Sequence, residues 1–242
     1  MAEADFDGQF AAPVATTLDA QWTPDYVHSR LRPTRTLGGL LTDFGKRMLD
    51  IAGSLLLALV FAPIVLGIVV AIRRSGGSVF FPHERVGRNG RSFRCLKFRT
   101  MVPDADRRLK EMLDADVELA AEWKEIRKLR NDPRVTPVGR FLRKTSLDEL
   151  PQIWNVLRGD MSLVGPRPIV RDELRLYGRN LGTYLGAKPG LTGLWQVTGR
   201  SDTDYKRRVA MDVYYARNRS LLLDLTILFK TVRVVLTGSG AY

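Results

Sequence analysis

The chain is poor in the residues that staple or metallate small folds. It has one cysteine, Cys95, and two histidines, His28 and His83, in 242 residues. A single thiol excludes an intrachain disulfide framework and fits a reducing compartment. Two histidines far apart in sequence, with one cysteine, leave no ligand set for a His/Cys zinc site, and no Cys/His or Ser/His spacing suggests a nucleophile–base pair. Acidic side chains are also scarce over most of the chain. Residues 1–45 hold six Asp/Glu and three Arg, which leaves residues 46–242 with 35 basic and 20 acidic side chains. A body with that excess of positive charge belongs against a polyanion: nucleic acid, an anionic membrane surface or phosphorylated substrates. With 26% charged and 45% apolar residues, the chain as a whole is neither disordered nor fibrous.

Charge is wholly absent from one stretch, and that absence chooses among the polyanions. Ile51 to Ile72, IAGSLLLALVFAPIVLGIVVAI, is a 22-residue run without an ionisable group. As a straight helix it would reach about 33 Å, one hydrocarbon core. A buried core helix is the competing reading, but the run is apolar on every face. No A-x-A site follows it, so it is expected to be an anchor and not a cleaved leader. Lys46 and Arg47 precede it and Arg73 and Arg74 follow it, so the positive-inside rule pulls both ends towards the cytoplasm. Pro63, near the midpoint, removes a backbone hydrogen bond and favours a kink. Together these features favour a re-entrant hairpin over a single span, although proline also occurs in spanning helices.

The remaining pattern predicts an α/β, mostly helical membrane-associated domain with a few short strands. Its expected divisions are a flexible tail over residues 1–43, an interfacial and re-entrant helix over 44–74, and a cytoplasmic catalytic domain over 75–242. Ser78–Phe81 and Phe93–Phe98 are predicted strands joined by the Gly-Arg-Asn-Gly turn at 87–90. Asp104–Arg130 is predicted as one long helix from the spacing of Leu109, Met112, Leu113, Leu119, Ala120, Trp123 and Ile126. A short helix is expected over 151–157, stopped by Gly159, and two amphipathic helices over 204–218 and 221–236. Asp224, inside the last and otherwise apolar helix, is expected to pair with a basic group. Cys95 is expected to pack within its strand.

Chemistry must then come from acids, arginines and a metal, and they concentrate in Arg140–Pro168. Asp148 and Glu149 stand just before Pro151, which suits the first turn of a helix, where free N–H groups and the dipole favour carboxylates. Ser146-x-x-Glu149 also fits a capping box, so simple helix capping stays open. Arg167 lies in Gly165-Pro166-Arg167-Pro168, braced by prolines in a way that preorganises a guanidinium for phosphate oxygens.

The run TSLDELPQIWNVLRGDMSLVGPRP (145–168) resembles the core motif of the bacterial sugar transferases, the small monotopic phosphoglycosyl transferases. FFPHERVGRNGRSFRCLKFRTM (80–101), NDPRVTPVGRFLRKTS (131–146), KPGLTGLWQVTGR (188–200) and LDLTILFKTVRVVL (223–236) are similar to the family's other blocks, in collinear order over about residues 44–238. The larger members with a multi-span N-terminal domain are not expected to be its nearest likeness. The family's membrane helix is broken at a Ser-Pro pair, whereas Ala62-Pro63 stands here, and His83 takes a position where many relatives have Gln.

The resemblance implies transfer of a sugar-1-phosphate from a UDP-sugar to undecaprenyl phosphate, with release of UMP, on the cytoplasmic face of the bacterial inner membrane. It implies Asp148 as the nucleophile that forms a covalent phosphosugar intermediate, and Glu149, with Asp148 beside it, as Mg²⁺ ligands. Arg167, the adjoining Pro168, Lys97 and Arg99 are expected at the phosphates. Gln196 and Arg200 are expected at the nucleotide or its phosphate, with turn and surface roles as the alternative. The ending GLWQVTGR is similar to exopolysaccharide-type relatives, where galactose or glucose is common. Membrane lipids are expected partners, nucleic acid is not, and a dimer is compatible with the sequence. The rival classes are a basic membrane-anchored scaffold and a nucleic-acid binder. The first leaves the acidic pair unexplained, and the second leaves the apolar run unexplained.

Overall fold

The computed structural model describes residues 37–126, 129, 132–198 and 204–237. Most of the expected tail, and Arg200, lie outside the described residues. Helix α1 runs Leu37–Arg74 with Pro63 inside it, so helix begins seven residues before the expected Phe44. Among the described residues it is the one helix long and apolar enough to cross a membrane. Asp50, Ser54, Ile68 and Ile72 are buried, whereas Leu55, Leu56, Leu59, Val60, Ile64, Leu66 and Val70 are exposed. The near-helical spacing of the buried set makes one stripe that faces protein, and the rest offers an apolar surface.

Strands β1 (Phe80–Val86) and β2 (Ser92–Phe98) form an antiparallel hairpin with Phe80 opposite Phe98 and Val86 opposite Ser92. The first strand therefore lies later than the predicted 78–81. Helices α2 (Ala105–Ala115) and α3 (Val117–Ile126) correct the single long helix predicted here. Asp116 leaves helical geometry (φ −136°, ψ 111°), and its Oδ1 accepts from Glu118 N at 2.9 Å and Leu119 N at 3.1 Å. One residue thus ends α2 and caps α3.

Helix α4 (Pro137–Thr145) precedes a 3-10 turn, Leu147–Glu149, and α5 (Gln152–Arg158), which Gly159 stops with φ 97°. Strand β3 (Ser162–Val164) pairs in parallel with β4 (Gly190–Thr192), and α6 (Leu174–Tyr177) and α7 (Leu181–Leu185) fill the connection. Helices α8 (Leu194–Thr198), α9 (Tyr205–Asn218) and α10 (Leu221–Thr237) complete a mostly helical fold. The last two match the predicted pair.

The core divides into three clusters that α1 helps to close. Ile68 and Ile72 pack with Val79, Phe98 and Leu142 at the far end of α1. Leu57, nearer its start, packs against Cys95, Val156, Met161, Leu163 and Ile227. A third cluster joins Val86 and Ile169 to Tyr177, Tyr184, Val209 and Val213.

Polar groups fix the start of α1. Asp50 accepts from Ser162 Oγ at 2.8 Å and Leu163 N at 2.9 Å. Arg47 donates to Val156 O and Leu157 O, both at 2.7 Å, satisfying carbonyls at the C-terminal end of α5. Asp224, fully buried, pairs with Lys46 at 2.7 Å as expected of it, and accepts from Tyr215 Oη at 2.6 Å.

Candidate active site

The acidic pair owes its position to how α4 ends. Thr136 Oγ1 accepts from Gly139 N at 2.9 Å to start the helix, with Pro137 in its first turn. Gly139 lies so close to the chain after β2 that a Cβ there would sit 2.0 Å from Thr100 O. Arg143 Nε donates to Thr100 Oγ1 at 2.9 Å on the same contact. Ser146 then turns left-handed (φ 57°) as the C-cap of α4, and the 3-10 turn presents Asp148 and Glu149 ahead of α5. The predicted capping box does not form: the Ser146 side chain makes no capping bond here, because that residue already terminates the preceding helix.

Lys97 reaches this turn from β2. Its Nζ stands 2.6 Å from Glu149 Oε1 and 3.7 Å from Asp148 Oδ2. Burial works hardest against the lysine's charge, but Glu149 and Asp148 outweigh it and hold the pKa above the ordinary value. Burial likewise raises Asp148, helped by Glu149 and opposed by Lys97 and Arg143. The aspartate is thus a poorly hydrated carboxylate in reach of a firmly protonated ammonium. Asn155 of α5, itself buried, sets the lysine's strand: Oδ1 accepts from Leu96 N at 2.9 Å and Nδ2 donates to Arg94 O at 2.8 Å. In the sequence, only its place inside the QIWNVLRGD run singles out Asn155.

The other predicted residues take different places. Arg99 donates through Nη2 to Ser75 Oγ at 3.0 Å, to Ile72 O at 3.4 Å and to Gly76 O. It closes the C-terminal end of α1 and is not brought to the carboxylates. Gln196 donates to Leu191 O at 3.3 Å, beside β4. Arg167 stands over the Trp195 ring, 5.5 Å from its centroid, and Pro168 follows it, half-buried. Gly165 permits the approach of this loop to β4, since a Cβ there would lie 2.4 Å from Lys188 O. Tyr184 Oη donates to Arg167 O at 2.8 Å, which fixes the backbone of the loop.

One face of the hairpin joins these two groups of residues. His83, Arg85, Cys95 and Lys97 alternate onto it. The Cys95 thiol is pushed up to about 11 by burial, and it feels the charges of Lys97, Glu149, Arg85 and Arg167. It is therefore an inert buried thiol, as its sequence context suggested. His83 Nδ1 lies 3.2 Å from Arg85 Nη2, which is the donor. Burial, then the charges of Arg85 and Lys97, lower the pKa of His83 against the pull of Glu173. A neutral imidazole that accepts from an arginine does here what a glutamine carbonyl would do.

Among the described residues no three His, Cys, Asp or Glu side chains cluster as a metal cage. Two adjacent carboxylates, however, are the protein share of a Mg²⁺ site completed by substrate phosphates and water, so Asp148 and Glu149 fit a Mg²⁺ of that kind.

A carboxylate pair gripped by a lysine, with Arg85 on the same hairpin face and a long apolar helix attached, is an arrangement able to meet phosphoryl groups beside an apolar surface. The model of the family described as bacterial sugar transferase matches residues 41–238, and the chain belongs to that family. It is 51% identical over 212 residues to the undecaprenyl-phosphate galactose phosphotransferase of Salmonella typhimurium, covering 88% of this chain and 44% of that protein. It is 50% identical over 212 residues to the UDP-galactose-lipid carrier transferase of Erwinia amylovora, again 88% of this chain and 44% of the relative. The chain thus spans less than half the length of both. With the exopolysaccharide production protein ExoY of Rhizobium meliloti it shares 48% identity over 221 residues, 91% of this chain and 96% of that one.

Proposed function

We propose that the protein transfers a hexose-1-phosphate, galactose or glucose, from a UDP-sugar to undecaprenyl phosphate and releases UMP, as the first membrane step of exopolysaccharide synthesis. The observation that carries this reading is the ammonium of Lys97 set 2.6 Å from Glu149 and 3.7 Å from the desolvated Asp148. The names of the Salmonella and Erwinia relatives support galactose and a lipid carrier, and that of the Rhizobium relative supports exopolysaccharide.

In the first half-reaction an Asp148 oxygen bonds to the phosphorus that carries the sugar. The bond from that phosphorus to the bridging oxygen breaks, and UMP leaves with the electron pair. In the second, an oxygen of undecaprenyl phosphate bonds to the same phosphorus, and the bond to Asp148 breaks, restoring the carboxylate. Two steps suit one soluble and one lipid-bound substrate that meet the site in turn. Lys97, held protonated by its two acidic neighbours, moves its hydrogen bonds onto the phosphoryl oxygens as their charge shifts. Glu149, with Asp148 beside it, would hold a Mg²⁺, whose charge would offset part of the repulsion between carboxylate and substrate.

We further infer that the apolar part of α1 enters the membrane and returns on the cytoplasmic face. Both of its ends attach to the same folded domain, the first through Lys46 and Asp50 and the second through Ile72. A straight span would place that one domain on two sides of a bilayer. Phe44→Cys and Ser78→Cys should be labelled by an impermeant maleimide from the same side; labelling from opposite sides would establish a span.

With UDP-galactose or UDP-glucose, Mg²⁺ and undecaprenyl phosphate, the wild type should release UMP and label the lipid. Asp148→Asn should do neither, and mass spectrometry of the wild type without acceptor should find a hexose-phosphate adduct on Asp148. Undiminished turnover in Asp148→Asn would overturn the reading.

A further inference from the structure

The lysine that opens the KPGLTG run takes no part in the chemistry at Asp148. Lys188 precedes β4 and is half-buried, and its Nζ forms no hydrogen bond or ion pair with another described residue. Arg47 of α1 stands beside it. A Cβ on Gly159 would lie 3.7 Å from Lys188 Nζ and 3.8 Å from Arg47 Nη2. The left-handed glycine that stops α5 therefore leaves a gap that two cations face together. Burial, then the charge of Arg47, lowers the pKa of Lys188, and Arg88 adds to this while Asp50 and Asp160 oppose it. Both of those carboxylates are engaged elsewhere. Asp50 accepts from Ser162 and Leu163, and Asp160 Oδ2 lies 3.4 Å from both Arg158 Nε and Asn155 Nδ2. A half-buried ammonium left uncompensated by the fold, with a guanidinium next to it, calls for an anion from outside the chain. The lysine is also held in place, since Pro189 follows it and Pro189 O accepts from Ser162 N at 2.9 Å.

The position of the gap chooses the anion. Arg47 lies one turn ahead of Ile51, where the uncharged run begins, and Phe44 and Met48 on either side of it are exposed. With this end of α1 at the membrane, the gap lies at the depth of lipid phosphates. The exposed Leu55, Leu56 and Leu59 further along α1 offer acyl chains an apolar surface. The anion is not the phosphate under attack. Asp148 comes before α5 and Gly159 ends it, so a helix about 10 Å long stands between them. A choline or ethanolamine headgroup would bring its own ammonium towards Lys188, Arg47 and Arg88, whereas an uncharged headgroup meets no such repulsion.

We propose that Lys188 and Arg47, across Gly159, bind the phosphate of an anionic phospholipid with an uncharged headgroup, such as glycerol, as a lipid distinct from both substrates. The site goes beyond the transfer reading and does not depend on it. It needs only the first end of α1 at the membrane surface, where the bound lipid pins that end to the loop before β4.

The full chain in detergent is titrated with phosphatidylglycerol and with phosphatidylcholine, and bound lipid is counted by native mass spectrometry. The wild type should bind phosphatidylglycerol the more tightly; equal affinity would overturn the proposal whatever the variants do. Lys188→Gln should weaken phosphatidylglycerol binding about fivefold and leave phosphatidylcholine binding alone, and Lys188→Arg, which keeps a cation, should retain most of the wild-type affinity. The Tm of Lys188→Gln without lipid should not fall, because burial and Arg47 work against the ammonium it removes. A lower Tm with unchanged lipid binding would make Lys188 a purely structural residue and end the proposal. In phosphatidylcholine nanodiscs, UMP release and the KM for undecaprenyl phosphate should match the wild type; a raised KM there would give the gap to the acceptor and overturn the proposal too. Lys188-dependent lipid binding by a chain that transfers nothing would instead sink the transfer reading and leave this site standing.

Discussion

Replacing Asp212 by Asn should stabilise the protein, and more at pH 8 than at pH 5. Asp212, on α9, is 2% exposed. Tyr177 Oη donates to its Oδ2 at 2.8 Å, while Oδ1 has no hydrogen bond of ordinary geometry. Burial pushes this carboxyl from 3.8 up to about 7, against the opposing pull of Tyr177, the Arg167 backbone N–H and the charges of Arg167 and Arg208. Below the unfolded value both states are protonated and ionisation costs nothing. As pH rises the unfolded carboxyl ionises first, so the folded state binds more protons and stability falls until pH passes about 7. At 1.36 kcal/mol per unit, the loss is about 2 kcal/mol by pH 5 and about 4 kcal/mol by pH 8. Asparagine keeps an acceptor for Tyr177 and has no charge to bury. The Tm advantage of Asp212→Asn over wild type should therefore grow by about 4–8 °C between pH 5 and pH 8, at about 2–4 °C per kcal/mol. Tryptophan-fluorescence melts of both proteins in one detergent would measure it. An advantage that is the same at both pH values, or larger at pH 5, would refute the argument from burial.

Lys46→Met should destabilise the fold by about 3–5 kcal/mol, because it strands the Asp224 carboxylate without its ammonium. Adding Asp224→Asn should recover much of that loss, and a double-mutant cycle from denaturant melts reads the coupling. Asn155→Ala should lower kcat with little change in KM for the UDP-sugar while the protein stays folded, since Asn155 positions Lys97 and touches no substrate; an equal rise in KM would count against a positioning role. The acid limb of kcat/KM should lie above the usual carboxylate range, because Asp148 must ionise against its burial. In Lys97→Met that limb should move further towards alkaline pH, and an unmoved limb would disconnect it from the aspartate.

What the sequence discloses is mostly local. The helices over 205–218 and 221–237 and the stop at Gly159 follow from periodicity and a left-handed glycine. The break at Asp116 was legible in part, because Leu113 and Leu119 are six residues apart and fall out of helical phase. The capping box was a sound local reading defeated by its neighbour: Ser146 serves α4 first. The acidic pair stands out in the sequence as an Asp-Glu step before Pro151, Lys97 comes only through the family resemblance, and their convergence is a fact of the fold. Arg99 shows the limit of reading charge as function, since nothing in KFRTM says which arginine or lysine turns to the site and which to a helix end. Lys46 and Asp224, 178 residues apart, and the support from Asn155 are long-range facts that no periodicity records.

The cations that the resemblance puts at the phosphates form two lobes, around Lys97 and around Arg167, and each is tied to α1 within a few residues, so the proposed insertion of α1 would link depth in the membrane to chemistry. Lys97 is two residues from Arg99, which closes the end of α1. Arg167 is three residues from Val164, whose carbonyl oxygen accepts from Lys46 Nζ at 3.0 Å at the start of α1. Tyr215 Oη has one proton and donates it at 2.6 Å to Asp224 Oδ1, which leaves the Val164 carbonyl oxygen to Lys46. A lipid phosphate lies at the depth of its headgroup, and if α1 enters the membrane and returns as proposed, cations fixed to its two ends share that depth. If α1 were loosened by Asp50→Ala, which frees Ser162 Oγ and Leu163 N, the KM for undecaprenyl phosphate should rise. Release of UMP in a single turnover without acceptor should persist, since the donor half-reaction needs the lobes in register but not at a set depth. Loss of both half-reactions in equal measure, with the fold intact, would show that the helix holds the lobes together and does not set their depth.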